Sequence, residues 1–268
     1  MMNAPQLAAQ MGSQIYESFG SQKAADFIAF ASQSWPGLQA MRFEAVPDPD
    51  LKRVVFEQRT WTVPQSIFWS HLHRMTLGYH GFIMGKYSCP GFCEIEDGDV
   101  VLDCGSFIGG LASAAAGKAG RVIAVEPSPI NYKAAHQNLK DLQNVTLSQC
   151  GLWNVSGAQD FNISETAIDD GFLVPDKGEI VRTVSIRTLT VADLARSNDV
   201  TAFDFQKIEA EGVELEILQG EGGLLANKIA VDCAPERDGD SPAEDVIALL
   251  HQHGFETRQK GIVVFGRR

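Results

Sequence analysis

Acidic and basic residues stand at the ends of three apolar runs, where their side chains could do chemistry. Asp103 ends the run 100–102, and Glu126 ends the run 122–125. A third apolar run leads into the charged stretch 207–212. Carboxylates accept hydrogen bonds from hydroxyl groups and take up protons, and a lysine can neutralise a neighbouring or developing negative charge. These residue types predict a site that binds a polar ligand and moves a proton.

The spacing around Asp103 favours one class of ligand. Asp103, Gly105 and Gly109 form the pattern D-x-G-x-x-x-G, and Glu126 follows 21 residues after Gly105. A dinucleotide site instead needs G-x-G-x-x-G, so that backbone N–H groups close on a pyrophosphate. An acid at this position repels phosphate and suits a ligand with an amino group and a sugar. S-adenosylmethionine is such a ligand, and its ribose hydroxyls would donate to Glu126.

Further positions lie in loops that would meet the same ligand. Ser106 belongs to the glycine turn, Pro127 follows Glu126, and Gln149 ends the third strand expected in this part of the chain. In open α/β sheets, ligands bind at the carboxyl ends of the strands. The predicted cofactor contacts are Asp103, Gly105, Ser106, Gly109, Glu126, Pro127, Gln149 and Glu209. The competing interpretation is an ordinary βαβ crossover whose acids face solvent.

The charged stretch 207–212 supplies the candidates for catalysis. On a strand, Lys207, Glu209 and Glu211 would point to one side, and three such charges are costly to bury unless they pair or act. Glu211, Glu209 or His80 could remove a proton, and Lys207 could orient an acid or stabilise an alkoxide. The predicted catalytic residues are Glu211, Lys207 and His80. Alternatively, Lys207 only braces the loop, and Glu214 is expected on a solvated helix face.

The composition and net charge of the chain limit the classes of partner that we expect it to bind. The chain has 268 residues and a formal net charge of −12, which opposes binding to nucleic acid and to anionic membranes. No apolar stretch is long enough to span a membrane, and the first residues do not resemble a signal peptide. The five cysteines include no clean zinc set, so we predict no metal ligand and a cytoplasmic protein with reduced thiols.

The pattern of elements predicts two parts. From residue 96 to 268, strands and helices alternate, which indicates an α/β fold with a mostly parallel, Rossmann-like seven-stranded sheet flanked by helices. Residues 152–187 interrupt this alternation and could form a hairpin, and a second hairpin is expected at the end of the chain. Residues 1–95 are expected to form a mainly helical cap or lid, beginning with helical periodicity over 4–33.

Three segments resemble the FkbM family of methyltransferases. They are G-D-V-V-L-D-C-G at 98–105, A-V-E-P-S-P-I-N at 124–131, and K-I-E-A-E-G-V-E-L at 207–215. The chain departs from the family pattern at Glu209, where aspartate is typical, and at Cys233, where a histidine often follows the fifth strand. The resemblance implies a class I methyltransferase fold and S-adenosylmethionine-dependent O-methylation. It also implies a small-molecule or glycan acceptor, often a sugar hydroxyl.

Other functions remain open from the residues alone. Glu209, Glu211 and Asp232 could hold magnesium in a metal-assisted O-methyltransferase. The chain could also bind a nucleoside cofactor without catalysis. A nicotinamide oxidoreductase is a further alternative. It is disfavoured because the chain lacks the G-x-G-x-x-G pattern that binds a pyrophosphate.

Overall fold

A computed structural model describes residues 3–35, 38–56, 59–67, 69–165, 167, 169–174, 179–237 and 239–268. The chain divides into two compact units, Met1–Phe82 and Ile83–Arg268. The second unit therefore begins before residue 96, where the sequence pattern changes. The reason is packing, because Ile83, Tyr87 and Ile95 belong to the same buried cluster as the first strand of the large sheet.

The first unit contains helices and a small sheet. In chain order its elements are α1 Ala4–Phe19, α2 Ser21–Ser32, β1 Met41–Ala45, β2 Leu51–Phe56, β3 Thr60–Pro64 and α3 Trp69–Thr76, and α4 Tyr79–Lys86 continues into the second unit. Asn3 caps α1 through a reciprocal capping box with Gln6, and Gly20 at φ 84° separates α1 from α2. The expected helices are accompanied by an antiparallel sheet, β1-β2-β3, that the sequence pattern did not indicate.

The second unit alternates strands and helices as expected. Its elements are β4 Val100–Cys104, α5 Gly110–Ala115, β5 Arg121–Val125, α6 Pro129–Leu139, β6 Val145–Ser148, β7 Gly151–Leu152, β8 Gly157–Ser164, β9 Ile180–Leu189, α7 Val191–Ser197, β10 Phe203–Ile208, α8 Glu214–Gln219, β11 Ala226–Asp232, α9 Ala243–Gln252, β12 Glu256–Lys260 and β13 Val263–Arg267. Ser128 caps α6 and Pro129 occupies its first turn, which agrees with the proline signal in the sequence.

Seven strands form the main sheet in the order β12-β13-β11-β10-β4-β5-β6. β13 runs antiparallel to its neighbours, and the other pairs are parallel, which confirms the α/β prediction. The chain leaves β4 towards β5 on one side and later returns to β10 on the other. Such a reversal opens a crevice at the carboxyl ends of the two strands, where ligands bind in open α/β sheets.

The register of the central strands brings the charged residues together. Lys207 on β10 lies beside Asp103 on β4 and beside Ala230 on β11. Both faces of these strands are covered, since Leu102 and Ile208 belong to one buried cluster and Val101 and Phe205 to another. Strands buried on both sides are typical of parallel sheets. The polar side chains at the strand ends are therefore the exception that marks a site.

A second sheet interrupts the alternation. Its order is β7-β9-β8, and β8 and β9 pair antiparallel, which confirms the hairpin expected within 152–187. Its partly described connection contains residues 167 and 169–174. Within the residues described, no helix combines the length and apolarity that a membrane crossing requires.

Candidate active site

The turn after β4 needs glycine at two positions. Gly105 has φ 70°, and a Cβ there would lie 1.8 Å from the carbonyl oxygen of Glu209. Gly109 has φ 85° and is the N-cap residue of α5, and a Cβ there would lie 2.8 Å from Cγ of Leu139. Only glycine adopts these angles readily and leaves room for such approaches. The positive φ angles and the close contacts at these two positions thus explain the two glycines of the D-x-G-x-x-x-G pattern.

The side chain of Asp103 stabilises the glycine turn and α5 through hydrogen bonds. Its side chain is fully buried, and Oδ2 accepts hydrogen bonds from Oγ of Ser106 at 2.9 Å and from the backbone N–H of Ala112 at 3.0 Å. Oδ1 lies 3.2 Å from Nζ of Lys207 but accepts no hydrogen bond within the described chain. Asp103 and Ser106, both predicted cofactor contacts, therefore face each other and hold the start of α5 in place.

Glu126 is the carboxylate that best fits a ribose. It is buried, its Oε2 accepts the N–H of Phe107 at 2.7 Å, and its Oε1 accepts the N–H of Ser128 at 2.8 Å. Each carboxylate oxygen has a second acceptor direction, which matches two donating hydroxyls. Burial raises the pKa of Glu126 to about 8, and nearby Asp170 adds a smaller effect in the same direction.

Two other predicted cofactor contacts lie in the loops next to Glu126. Pro127 follows it directly and is half-buried. Gln149 is exposed and follows Ser148, whose carbonyl accepts the N–H of Glu126 at 3.1 Å. The pairing of β5 with β6 thus brings Gln149 close to Glu126, as the order of the strands predicts.

Lys207 occupies the centre of the strand-end cluster. Its Nζ lies 3.1 Å from Oε2 of Glu209 and donates to the carbonyls of Cys104 at 2.9 Å and Gly105 at 2.5 Å. Burial opposes its charge, yet Asp103 and Glu209 raise the pKa of Lys207 well above its ordinary value. Lys207 is therefore a permanent ammonium that joins the glycine turn to β10.

Glu209 is held by a second lysine that sequence reasoning missed. Nζ of Lys86, at the end of α4, lies 2.6 Å from Oε1 of Glu209 and 2.7 Å from Oδ2 of Asp232. The hydroxyl of Tyr87 donates to Asp232 at 3.3 Å. Despite burial, Lys207 and Lys86 hold the pKa of Glu209 well below its usual range. Glu209 is thus ionised and paired on both sides.

The sequence predicts a strand that continues to Glu211, but the strand observed in the structure ends earlier. β10 ends at Ile208, and Glu211 and Gly212 follow in a turn with φ values of 51° and 90°. Oε1 of Glu214 accepts the N–H of Ala210 at 2.7 Å and of Gly212 at 3.4 Å, which stabilises the turn. The solvated position expected for Glu214 is wrong, because this internal role buries it to 2% exposure.

Glu211 is the acid best suited to take up a proton. Burial raises its pKa well above the ordinary value, and the neighbouring acids Glu236, Glu209 and Asp169 add to the effect. A carboxylate with a raised pKa is a stronger base once it is ionised. Glu211 itself lies in the turn after β10, with a left-handed backbone conformation, and forms none of the lysine ion pairs described for Glu209.

His80 belongs to the first unit, on α4. Arg59 forms a hydrogen bond with its ring, and the ring of Trp61 packs edge-on at a centroid distance of 5.4 Å. Burial lowers the pKa of His80 to about 4, and the charge of Arg59 contributes to the shift. Such a histidine is neutral near pH 7 but is a weak base.

Two of the three carboxylates proposed as magnesium ligands form ion pairs with a lysine instead. Glu209 and Asp232 share the ammonium of Lys86, and Glu211 lies in the separate turn. In the part of the chain that the structure covers, no group of three or more His, Cys, Asp or Glu side chains has the arrangement of a metal site.

Comparison with known proteins identifies relatives of this chain. The family model described as "Methyltransferase FkbM domain" matches residues 103–257. The curated protein "Hexuronic acid methyltransferase AglP" of Haloferax volcanii is 31% identical over 167 residues, which cover 61% of this chain. The match spans 66% of that relative's length, slightly less than two thirds.

Among solved structures, M. jannaschii TYW2 in complex with AdoMet is 13% identical, with 83% of this chain and 87% of that chain covered and a TM-score of 0.43. Precorrin-6y C5,15-methyltransferase from Geobacter metallireducens is 14% identical, with 70% and 88% covered and a TM-score of 0.41. These likenesses are low, and the fold assignment rests on the strand order of the sheet itself.

Proposed function

Since the chain belongs to the FkbM family of S-adenosylmethionine-dependent methyltransferases, we propose that it methylates a hydroxyl group of a sugar, free or within a glycan or natural product. The observation that carries the proposal is the pair of acids with different roles at the strand ends. Glu126 is fixed by backbone donors beside a glycine turn, and Glu211 lies apart with a raised pKa. The similarity to a hexuronic acid methyltransferase supports a sugar as the acceptor.

The residues present fit the cofactor of this family. Glu126 keeps acceptor capacity for the two ribose hydroxyls, and the glycine turn brings backbone rather than side chains to the crevice. Oδ1 of Asp103 is a buried acceptor without a hydrogen bond within the described chain, and its charge is balanced by Nζ of Lys207 at 3.2 Å. When bound, S-adenosylmethionine supplies an electrophilic methyl group on a positively charged sulfur.

The acceptor hydroxyl needs a base, because it is a poor nucleophile until its proton leaves. We assign this role to Glu211, because burial and the neighbouring acids raise its pKa and make its ionised form a stronger base. Glu209 is less suited, since two lysines keep its pKa low. His80, with a pKa of about 4, is the second candidate.

Lys207, Glu209 and Lys86 form the support beneath this chemistry. Their ion pairs join the ends of β4, β10 and α4, and Lys86 also binds Asp232 on β11. These buried charges are held in fixed positions by their ion pairs. The protein therefore needs little reorganisation when charge moves during the reaction. Lys207 therefore positions the glycine turn rather than exchanging a proton.

Calorimetric titration with S-adenosylhomocysteine tests the cofactor site first. We expect micromolar binding by the wild type and a loss of at least tenfold in affinity for Glu126→Ala. The control is Glu244→Ala, which removes an exposed glutamate from α9. Absence of binding by folded wild-type protein would contradict the proposed function.

A methyl-transfer assay tests the acceptor. Wild-type protein with labelled S-adenosylmethionine is offered neutral hexosides, amino sugars and hexuronates, and nuclear magnetic resonance locates the new methyl group. Methylation on oxygen is expected, whereas methylation on nitrogen or carbon would exclude the proposal.

Full activity after treatment with a chelator is expected; its loss, restored by magnesium, would favour the metal-assisted alternative. Cofactor binding without methylation of any sugar would favour a non-catalytic binding protein.

A further inference from the structure

The connection between β8 and β9 contacts the loop that carries the ribose carboxylate. Oδ2 of Asp170 accepts a hydrogen bond from Oγ of Ser128 at 2.6 Å, and its Oδ1 accepts the N–H of Ser164 at 2.7 Å and Oγ of Ser164 at 3.1 Å. Ser128 in turn donates its backbone N–H to Oε1 of Glu126 at 2.8 Å. One serine therefore links Asp170 to Glu126.

A second contact joins the same connection to α6. Nδ2 of Asn131, in the first turn of the helix, donates to the carbonyl of Ala167 at 2.6 Å. Ala167 has φ 56°, a conformation that side-chain-bearing residues rarely adopt, and it is buried. A strained residue persists where its surroundings hold it, and strained residues cluster at functional sites. The connection is thus held by two polar contacts, one to the β5–α6 loop at Ser128 and one to the first turn of α6 at Asn131.

The burial of these groups makes the contacts specific. Asp170 is 7% exposed, Ser128 is fully buried, and Asn131 is 3% exposed. Buried polar groups are costly to leave without partners, so each restricts the position of the others. The neighbour of Asp170, Gly171, is tied to β8 by paired backbone hydrogen bonds with Asn162 at 2.8 and 3.1 Å. The residue next to Asp170 is therefore attached to β8, while Asp170 itself contacts Ser128.

We propose that Asp170 is a positioning residue for cofactor binding, which acts through Ser128 to hold Glu126 in the orientation that accepts the ribose hydroxyls. This inference rests on the proposed function. It assigns to the β8–β9 insertion, which is absent from the plain alternation of strands and helices, a role in binding the cofactor. Asp170 itself reaches Glu126 only through the serine.

The first test compares two matched variants on the same hairpin. Asp170→Asn keeps the shape of the side chain and removes its charge, and Asp160→Asn makes the same change at an exposed position of β8. Titration with S-adenosylhomocysteine at about pH 9, where Glu126 is ionised with or without the charge of Asp170, should show about tenfold weaker binding for Asp170→Asn and unchanged binding for Asp160→Asn. Equal affinity of Asp170→Asn and wild type would overturn the inference, whereas failure of the wild type to bind would overturn the proposed function instead.

A double-mutant cycle separates positioning from a general loss of stability. In a Glu126→Gln background, Asp170→Asn should cause little further loss of affinity, since its effect is transmitted to the carboxylate that is no longer present. Additive losses would overturn the inference. If Asp170→Asn does not fold, Ser128→Ala removes the same link and is expected to weaken binding to the same extent; wild-type affinity for this variant would be equally decisive against it.

Discussion

Nζ of Lys207 lies 3.2 Å from Oδ1 of Asp103, and the two side chains are 2% and 0% exposed. The residues are register partners on adjacent parallel strands, β10 and β4, so the sheet itself brings the charges together. Asp103 uses its other oxygen to hold the start of α5. One buried ion pair therefore connects the central strand pair to the glycine turn.

Loss of Lys207 should destabilise the protein strongly. Lys207→Met leaves the carboxylate of Asp103 buried without its counterion, and breaking such pairs costs about 3–5 kcal/mol. We expect the urea midpoint of unfolding to fall, and Lys118→Met, at an exposed lysine, to leave it near the wild-type value. Equal midpoints for the two variants would show that the pair contributes little to stability.

A methyl group at Gly105 should prevent folding or cofactor binding. The Cβ of Gly105→Ala would lie 1.8 Å from the carbonyl oxygen of Glu209, so β4 and β10 would have to separate. Gly254→Ala is the control, because Gly254 also has a positive φ, 81°, but open space around it. We expect a loss of about 1–2 kcal/mol for Gly254→Ala, from the backbone alone, and a much larger loss for Gly105→Ala. Denaturant titration of both variants measures the difference.

Cofactor binding should strengthen as the pH rises towards 8. Burial raises the pKa of Glu126 to about 8, with Asp170 raising it further and Lys207 opposing the shift. The ribose hydroxyls need the ionised form as acceptor, so binding near neutral pH must release a proton. The affinity for S-adenosylhomocysteine should increase about tenfold per pH unit between about 6 and 8, then level off.

Titrations in two buffers with different ionisation enthalpies detect the released proton directly. In Glu126→Gln, the dependence between these pH values should disappear. A flat profile in the wild type would mean that Glu126 is already ionised in the free protein.

Replacement of Glu211 should slow the reaction without weakening cofactor binding. General bases typically contribute about 10²–10⁴-fold to the rate, and we expect a fall in kcat of this size for Glu211→Gln. Because the pKa of Glu211 is raised, activity should be lost as the pH falls through that raised value, where the base becomes protonated. Glu244→Gln, at an exposed glutamate, is the control. Unchanged kcat in Glu211→Gln would show that Glu211 is not the base.

The residues alone were sufficient to predict the core of the fold and the position of Glu126 at the end of a strand. Apolar runs, turn glycines and the proline at the start of α6 are local signals, and they predicted β4, β5 and the position of Glu126 at a strand end. The charged stretch at the end of β10 was also visible, because charges after a buried strand are exceptional. These features depend on neighbours within a few residues, which is the range that a sequence pattern records.

The tertiary structure decided which of these charges meet. Lys86 reaches Glu209 and Asp232 from a helix more than a hundred residues earlier in the chain, and Asp170 reaches Ser128 from an inserted hairpin. The turn that separates Glu211 from Lys207 depends on the buried carboxylate of Glu214. Such contacts arise from the packing of distant elements, and no periodicity in the sequence encodes them. The sequence by itself determined the alternation of strands and helices in the second unit and the class of ligand, because both depend on local patterns, and packing decided which acids are paired with lysines.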